Sequence, residues 1–133
     1  MTTTTCVLLG ERHHSLGEGV RGLLETTFAT VFMVADANSL MEGAARLQPT
    51  LVVVDLALAG GDLPRLLEKL RERAPSAKVL LLSVHDESTI ASDAIAAGAD
   101  GLVVKRQIAA DLLPAVDALL TGRHFFSSAA GQI

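Results

Sequence analysis

The stretch Leu51-Val52-Val53-Val54-Asp55 decides the fold. Its aliphatic residues run without a polar break and stop on a carboxylate. Alternating polarity would mark a strand wet on one face. An unbroken run marks a strand buried on both faces, as in a parallel sheet covered by helices. Working outward, similar runs recur at Cys6-Val7-Leu8-Leu9, Val31-Phe32-Met33-Val34, Lys78 to Leu82 and Leu102-Val103-Val104.

Helical spacing fills the gaps between these runs. Leu16, Val20, Leu23 and Leu24 make one apolar stripe; Leu40, Met41, Ala44, Ala45 and Leu47 make a second. Asp36 or Asn38 can cap that second helix, and Pro49 closes it. Pro64 suits the first turn of a third helix carrying Leu66, Leu67 and Leu70, and Pro75 ends it. Glu87 to Ala97 reads as an alanine-rich helix stopped by Gly98. Ile108, Leu112, Leu113, Val116, Leu119 and Leu120 form the last stripe, closed by Gly122. Pro114 is awkward inside it and predicts a helix start near Leu112 or Leu113. Strands alternating with helices make a (βα)5 chain. The expected architecture is α/β, a flavodoxin-like three-layer sandwich around a parallel sheet of order 2-1-3-4-5. The order is a prior on such folds, not a result of periodicity. Residues 1–126 are expected to form the domain. Residues 127–133 read as a tail or the start of a linker.

Composition agrees with one domain and narrows its work. The chain has 133 residues, 50% of them hydrophobic and 20% charged, with mean hydropathy +0.42. That supplies a core and argues against disorder. Lys+Arg is 11 and Asp+Glu is 15, a net charge of −4. Without a basic block, direct nucleic-acid binding is not expected. Trp and Tyr are absent and Phe occurs four times, so a flavin would find little to stack on. Cys6 alone cannot make an internal disulfide, which fits a reducing compartment. No targeting segment is visible, and no apolar run approaches the ~20 residues that span a bilayer. The expectation is a cytoplasmic protein without a membrane role.

In sheets of this kind ligands bind beyond the carboxyl ends of the strands, where strand order reverses. The residues that leave those ends are Glu11, Asp55, Ser83 and Lys105. Two carboxylates flanked by a hydroxyl and an ammonium can support phosphoryl transfer to a carboxylate. Asp55 would be the nucleophile, and Ser83 and Lys105 would meet the phosphoryl oxygens. Glu11 would help hold Mg²⁺ through oxygen. Other polar residues carry weaker signals. His13 and His14 are adjacent, and adjacent side chains do not converge easily on one ion, so both read as loop residues near the crevice. His85 reads as a loop residue, and His124 with Phe125-Phe126 as packing at the domain edge. Glu68 to Arg73 reads as a solvated helix face. Ser83 lacks the Gly-x-Ser-x-Gly turn of a hydrolase nucleophile.

The segments Val52-Val53-Val54-Asp55-Leu56, Leu81-Leu82-Ser83-Val84-His85-Asp86 and Ala97-Gly98-Ala99-Asp100-Gly101-Leu102-Val103-Val104-Lys105 resemble the third, fourth and fifth strands of response regulator receiver domains. His13 to Glu25 and the ending Leu120-Thr121-Gly122-Arg123-His124-Phe125-Phe126-Ser127 are similar to the NarL/LuxR-type subgroup. The resemblance implies a two-component signal-transduction receiver, a switch rather than a turnover enzyme. It implies that Asp55 accepts a phosphoryl group from a sensor histidine kinase with Mg²⁺, and that Ser83 and Lys105 sense it. The output would be a helix-turn-helix DNA-binding domain absent from this chain, and a homodimer is one arrangement open to it.

Three departures stand out. The family places two acids after strand one, where this chain has Glu11 and Arg12. Unit charges ~5 Å apart interact by about 3 kcal/mol at an effective dielectric of 20. An inward Arg12 would therefore impair or abolish Mg²⁺ binding, whereas with an outward one Mg²⁺ would still bind, weakly. Leu102 replaces the family's usual aromatic. The segment Leu56-Ala57-Leu58-Ala59-Gly60-Gly61 lacks the usual proline, though the Ala57 carbonyl remains a candidate metal ligand beside Glu11 and Asp55. These departures keep open an atypical receiver that acts as a phosphorylation-independent dimerisation or docking module. A flavodoxin-like cofactor binder ranks far below both.

Overall fold

The computed structural model describes residues 6–85 and 88–127. Expectations that fall on Asp86, Glu87 and residues 128–133 lie outside the described residues. The strands are β1 (Cys6–Gly10), β2 (Thr30–Val34), β3 (Leu51–Asp55), β4 (Lys78–Ser83), β5 (Gly101–Val104) and β6 (Phe125–Phe126). The helices are α1 (His14–Leu24), α2 (Ala37–Leu47), α3 (Leu63–Arg73), α4 (Ser88–Ala97) and α5 (Ile108–Leu120). The sheet is parallel throughout, in the order β2-β1-β3-β4-β5-β6. The expected five-strand order is present and is extended by one short edge strand.

The unbroken apolar runs are buried on both faces, each by a different layer. Val7, Leu9, Leu51, Val53, Leu80, Leu82 and Val103 point toward α1 and α5, packing with Val20, Leu24, Leu112 and Val116. Leu8, Val52, Val54, Val79, Leu81 and Leu102 point the other way, onto Leu40, Leu66, Leu67 and Leu70 of α2 and α3 and Ala94 of α4. Neighbours along one strand thus enter different cores, the period-two geometry of a strand. No helix among the described residues is long and apolar enough to cross a membrane.

The helix signals mostly act as their chemistry requires. Asp36 caps α2, accepting from the Ser39 N–H at 2.8 Å. Asp62 caps α3, with Pro64 in the first turn. Pro114 does not start α5, as its ring had suggested. The helix begins at Ile108 and runs through Pro114. The missing N–H would have bonded the carbonyl of Ala110. Both residues are exposed, so water can take that bond. Arg71 also departs from the solvated-face reading. Its guanidinium donates to the carbonyls of Ala77 (2.9 Å) and Gly98 (2.7 Å) and to Asp100 Oδ2 (3.0 Å). It ties α3 to the start of β4 and the end of α4.

Phe125-Phe126 do more than pack at the edge. They pair with Gly101 and Leu102 of β5. Beyond them Ser127 is buried, its N–H donating to the Leu102 carbonyl (2.8 Å) and its hydroxyl accepting from the Val104 N–H (2.7 Å). Gly101 makes this close approach available. A Cβ there would meet the Phe125 carbonyl oxygen at 2.8 Å and Leu80 Cδ1 at 2.9 Å. We expect Gly101→Ala to cost about 1–3 kcal/mol through overpacking. Urea unfolding followed by far-UV circular dichroism checks this, and a midpoint equal to wild type would refute it.

Candidate functional site

Parallel register brings the strand ends level. Gly10 pairs with Val54, Asp55 with Leu82, and Ser83 with Val104. The residues that leave these strands therefore meet at one end of the sheet. Glu11, Asp55 and Ser83 are buried there, the first two only 2% and 3% exposed. Carboxylates this dry need a cation.

Lys105 supplies it. Its Nζ stands 2.8 Å from Asp55 Oδ2 and 3.0 Å from Glu11 Oε1. The Asp55 contact is a directed hydrogen bond. The Glu11 contact is an ion pair only, leaving Oε1 without a hydrogen-bond donor. Asp55 Oδ1 accepts from the Ala57 N–H at 3.0 Å, a bond made by the tight turn after β3. Glu11 Oε2 accepts from the His13 N–H at 3.1 Å and lies 3.2 Å from His13 Nδ1. Each ion pair attracts by about 6 kcal/mol at an effective dielectric of 20. Desolvation costs several kcal/mol per ion, so the trio is no net source of stability. It is one positive charge short of neutral, and that makes it a receptor for cations.

The Asp55 carboxyl is held below its ordinary range. Burial pushes it up and is the largest single influence. The Lys105 hydrogen bond, the Ala57 N–H and the Lys105 charge together outweigh it.

The other expected residues are placed less directly. Ser83 lines the same cleft of about 380 Å³ as Asp55 and Lys105. Its hydroxyl, however, turns into its own loop, accepting from the His85 N–H (2.9 Å) and donating to the His85 carbonyl (3.1 Å). Arg12 lines the rim, exposed, with no side-chain ion pair among the described residues. It is the outward arrangement that holds. The Ala57 carbonyl accepts from the Gly60 N–H at 3.3 Å, which leaves one lone pair unused. His13 is the residue that sequence reasoning passed over. Taken as a pair with Glu11 nearby, the two histidines drop out because adjacent side chains diverge, but His13 alone reaches Glu11, two residues before it. An apolar groove of about 390 Å³ between α3 and α4 offers, among the described residues, only Asp93 as a charged group, so its size does not make it the reactive site.

The donor set suits a divalent cation. Glu11, His13 and Asp55 each offer a ligand atom, all within 4.8 Å of one another. Lys105 stands on Glu11 Oε1 and Asp55 Oδ2, which leaves one oxygen of each carboxylate for an ion. Carboxylate oxygens of this kind hold Mg²⁺ in phosphoryl-transfer sites.

The sequence model of the response regulator receiver domain matches residues 7–117, from β1 into α5. The chain belongs to that family. The Fimbriae Z protein of Salmonella typhimurium is 30% identical over 124 residues, covering 92% of this chain and 59% of that protein. The nitrate/nitrite response regulator protein NarL of Escherichia coli is 30% identical over 126 residues, covering 92% and 58%. The chain thus spans about three-fifths of these relatives' length. A LuxR-family two-component response regulator from Aurantimonas sp. SI85-9A1 superposes with TM-score 0.82 at 30% identity, covering 96% of this chain and 92% of that one. The receiver is of the NarL/LuxR type, a phosphoaccepting element of two-component signalling. The phosphorylation-independent docking module is the less favoured reading. Receivers as a class signal rather than turn over a substrate, and bind Mg²⁺ at an acidic site.

The depressed Asp55 carboxyl carries a sign. Unfolded, it titrates near ~3.9. Its stabilising contribution is in place above that pH and is lost as acid passes the lower folded value. Replacing Lys105 leaves two buried carboxylates without a cation. We expect Lys105→Met to lose about 3 kcal/mol at neutral pH, read from urea melts. The gap to wild type should narrow as the pH falls toward ~4 and one carboxylate takes a proton. A gap that widens on acidification would show that Lys105 is not the neutralising charge.

Proposed function

We propose that Asp55 is the phosphoacceptor of this receiver, with Lys105 and Ser83 as the groups that meet the transferred phosphoryl. The observation that carries the reading is the Asp55 carboxylate held ionised at the mouth of the sheet by Lys105 at 2.8 Å. An ionised oxygen is the nucleophile the reaction needs. In the transfer, an Asp55 oxygen forms a bond to phosphorus while the P–N bond of a phosphohistidine breaks. The departing imidazole keeps the electron pair and takes a proton from water. Lys105 can follow the charge from the carboxylate to a phosphoryl oxygen within the reach of its side chain. Ser83 must turn its hydroxyl from the His85 backbone toward the cleft to donate. Glu11 and Asp55 would hold a divalent ion, with the Ala57 carbonyl as a further oxygen. When bound, that ion offsets the negative charge of the phosphoryl oxygens. Arg12, exposed at the rim, lowers affinity for the cation by its charge alone.

The donor is a sensor histidine kinase, as the receiver class requires. The names of the relatives, a response regulator and a transcriptional activator among them, support transcriptional regulation as the output of a longer protein. A helix-turn-helix domain as that output and a homodimer as the working form are part of the same proposal. The boundary of the receiver near residue 126 and a cytoplasmic site of action belong to the same reading, as does signalling without substrate turnover.

Incubation with a small phosphodonor and excess divalent cation, followed by intact mass measurement, tests it. Wild type should gain one phosphoryl group and Asp55→Asn none. No gain in wild type would favour the docking module instead. Ser83→Ala should still label, about tenfold more slowly. One hydrogen bond to a charged oxygen is worth about 1.5 kcal/mol, which corresponds to that rate factor.

A further inference from the structure

We propose that His13 is a ligand in the cation site, and that the site takes a first-row divalent transition-metal ion in preference to Mg²⁺. Extended backbone at His13 (φ −91°, ψ 108°) brings its ring back to Glu11, with Nδ1 3.2 Å from Glu11 Oε2. His14 diverges, reaching Glu18 Oε2 at 3.7 Å across the exposed face of α1. One histidine is therefore at the site and its neighbour is not.

The distances suit shared coordination. Two ligands at right angles on an ion with bonds of ~2.1 Å lie about 3.0 Å apart, and two opposed ligands about 4.2 Å apart. Glu11 Oε2 and His13 Nδ1 already stand at the first spacing. The three donors together lie within 4.8 Å, so a shift of about half an ångström closes the set. Two of them sit on buried, fixed carboxylates, while the His13 side chain is 66% exposed and can turn without repacking a core. Lys105 occupies Glu11 Oε1 and Asp55 Oδ2. The oxygens it leaves are Oε2, shared with His13, and Oδ1, which takes only the Ala57 N–H.

Ligand chemistry then selects the metal. Mg²⁺ favours an all-oxygen set and gains little from an imidazole. An imidazole beside two carboxylates suits Mn²⁺, Co²⁺ or Zn²⁺, with affinity rising along the first row. The inference rests on the phosphoacceptor reading for the ion's purpose, not for its binding.

The test uses the chain without a histidine tag, titrated with Co²⁺ and followed by the Co²⁺ absorption bands and by calorimetry. Wild type should bind Co²⁺ at least about tenfold more tightly than His13→Ala, with an altered band position once the nitrogen is lost. His14→Ala should match wild type, and Mg²⁺ affinity should be the same in all three. Equal Co²⁺ affinity in wild type and His13→Ala overturns the proposal. So does Mg²⁺ binding as tight as Co²⁺ in wild type. Phosphodonor labelling of Asp55 is measured separately. His13-dependent Co²⁺ binding without labelling in any metal would sink the phosphoacceptor assignment and leave the metal assignment standing. Labelling together with His13-indifferent Co²⁺ binding would do the reverse.

Discussion

One ammonium between two dry carboxylates governs this molecule. Lys105 is the last residue the chain adds to the site, fifty positions after Asp55, and its Nζ closes contacts to both Asp55 and Glu11. Sheet register alone would bring the two carboxylates to the same mouth, where they would repel. With Lys105 in place both have an ammonium within 3.0 Å where water scarcely reaches them. The arrangement contributes little to stability, since desolvation cancels most of the attraction. The apolar strands carry that burden. Leu8, Leu9, Leu51, Leu80, Leu81 and Leu82 are among the largest fully buried side chains, each worth about 1.5–3 kcal/mol on burial. The same strands hold the charged ends in register, so core and site are two results of one sheet.

Most of that sheet was readable because its signal is local. A strand buried on both faces must be apolar throughout, and Leu51 to Val54 are. A carboxylate at its end stands out against such a run, which is why Asp55, Glu11, Ser83 and Lys105 could be picked from the exits alone. What escaped the sequence depended on partners far along the chain. Phe125 and Phe126 look like generic packing until Gly101, lacking a Cβ, lets their backbone pair with β5. Arg71 looks like one more charge in a polar helix face until the loops before β4 and β5 offer it carbonyls. Pro114 was read by local rule, and tertiary packing of Leu112, Ala115, Val116 and Leu119 carried the helix through it. Whether Arg12 faced in or out was open because both directions satisfy a long side chain, and only the turn at the end of β1 decides between them.

The hydrogen bonds around β5 also define which parts of the site can move. Leu102, where an aromatic had been expected, is buried in the core against α2, α3 and α4, and its carbonyl is tied to the Ser127 N–H. Val104, the residue before Lys105, gives its N–H to the Ser127 hydroxyl. The backbone that carries the lysine is thus pinned from its outer side, and position 102 itself carries no ring to swing. Freedom remains in the Lys105 side chain and in the Ser83 hydroxyl. The latter rotates about a single bond and is held only by the His85 backbone. Such rotors move within nanoseconds, far faster than a strand can shift. If Asp55 takes a phosphoryl group as proposed, the loop after β4, where Val84 stands 65% exposed with no core to hold it, is the neighbouring backbone with freedom to respond. The same argument makes β5 a fixed reference. Whatever the Ser83 loop does, it does relative to a lysine whose strand is anchored to the chain's own Ser127.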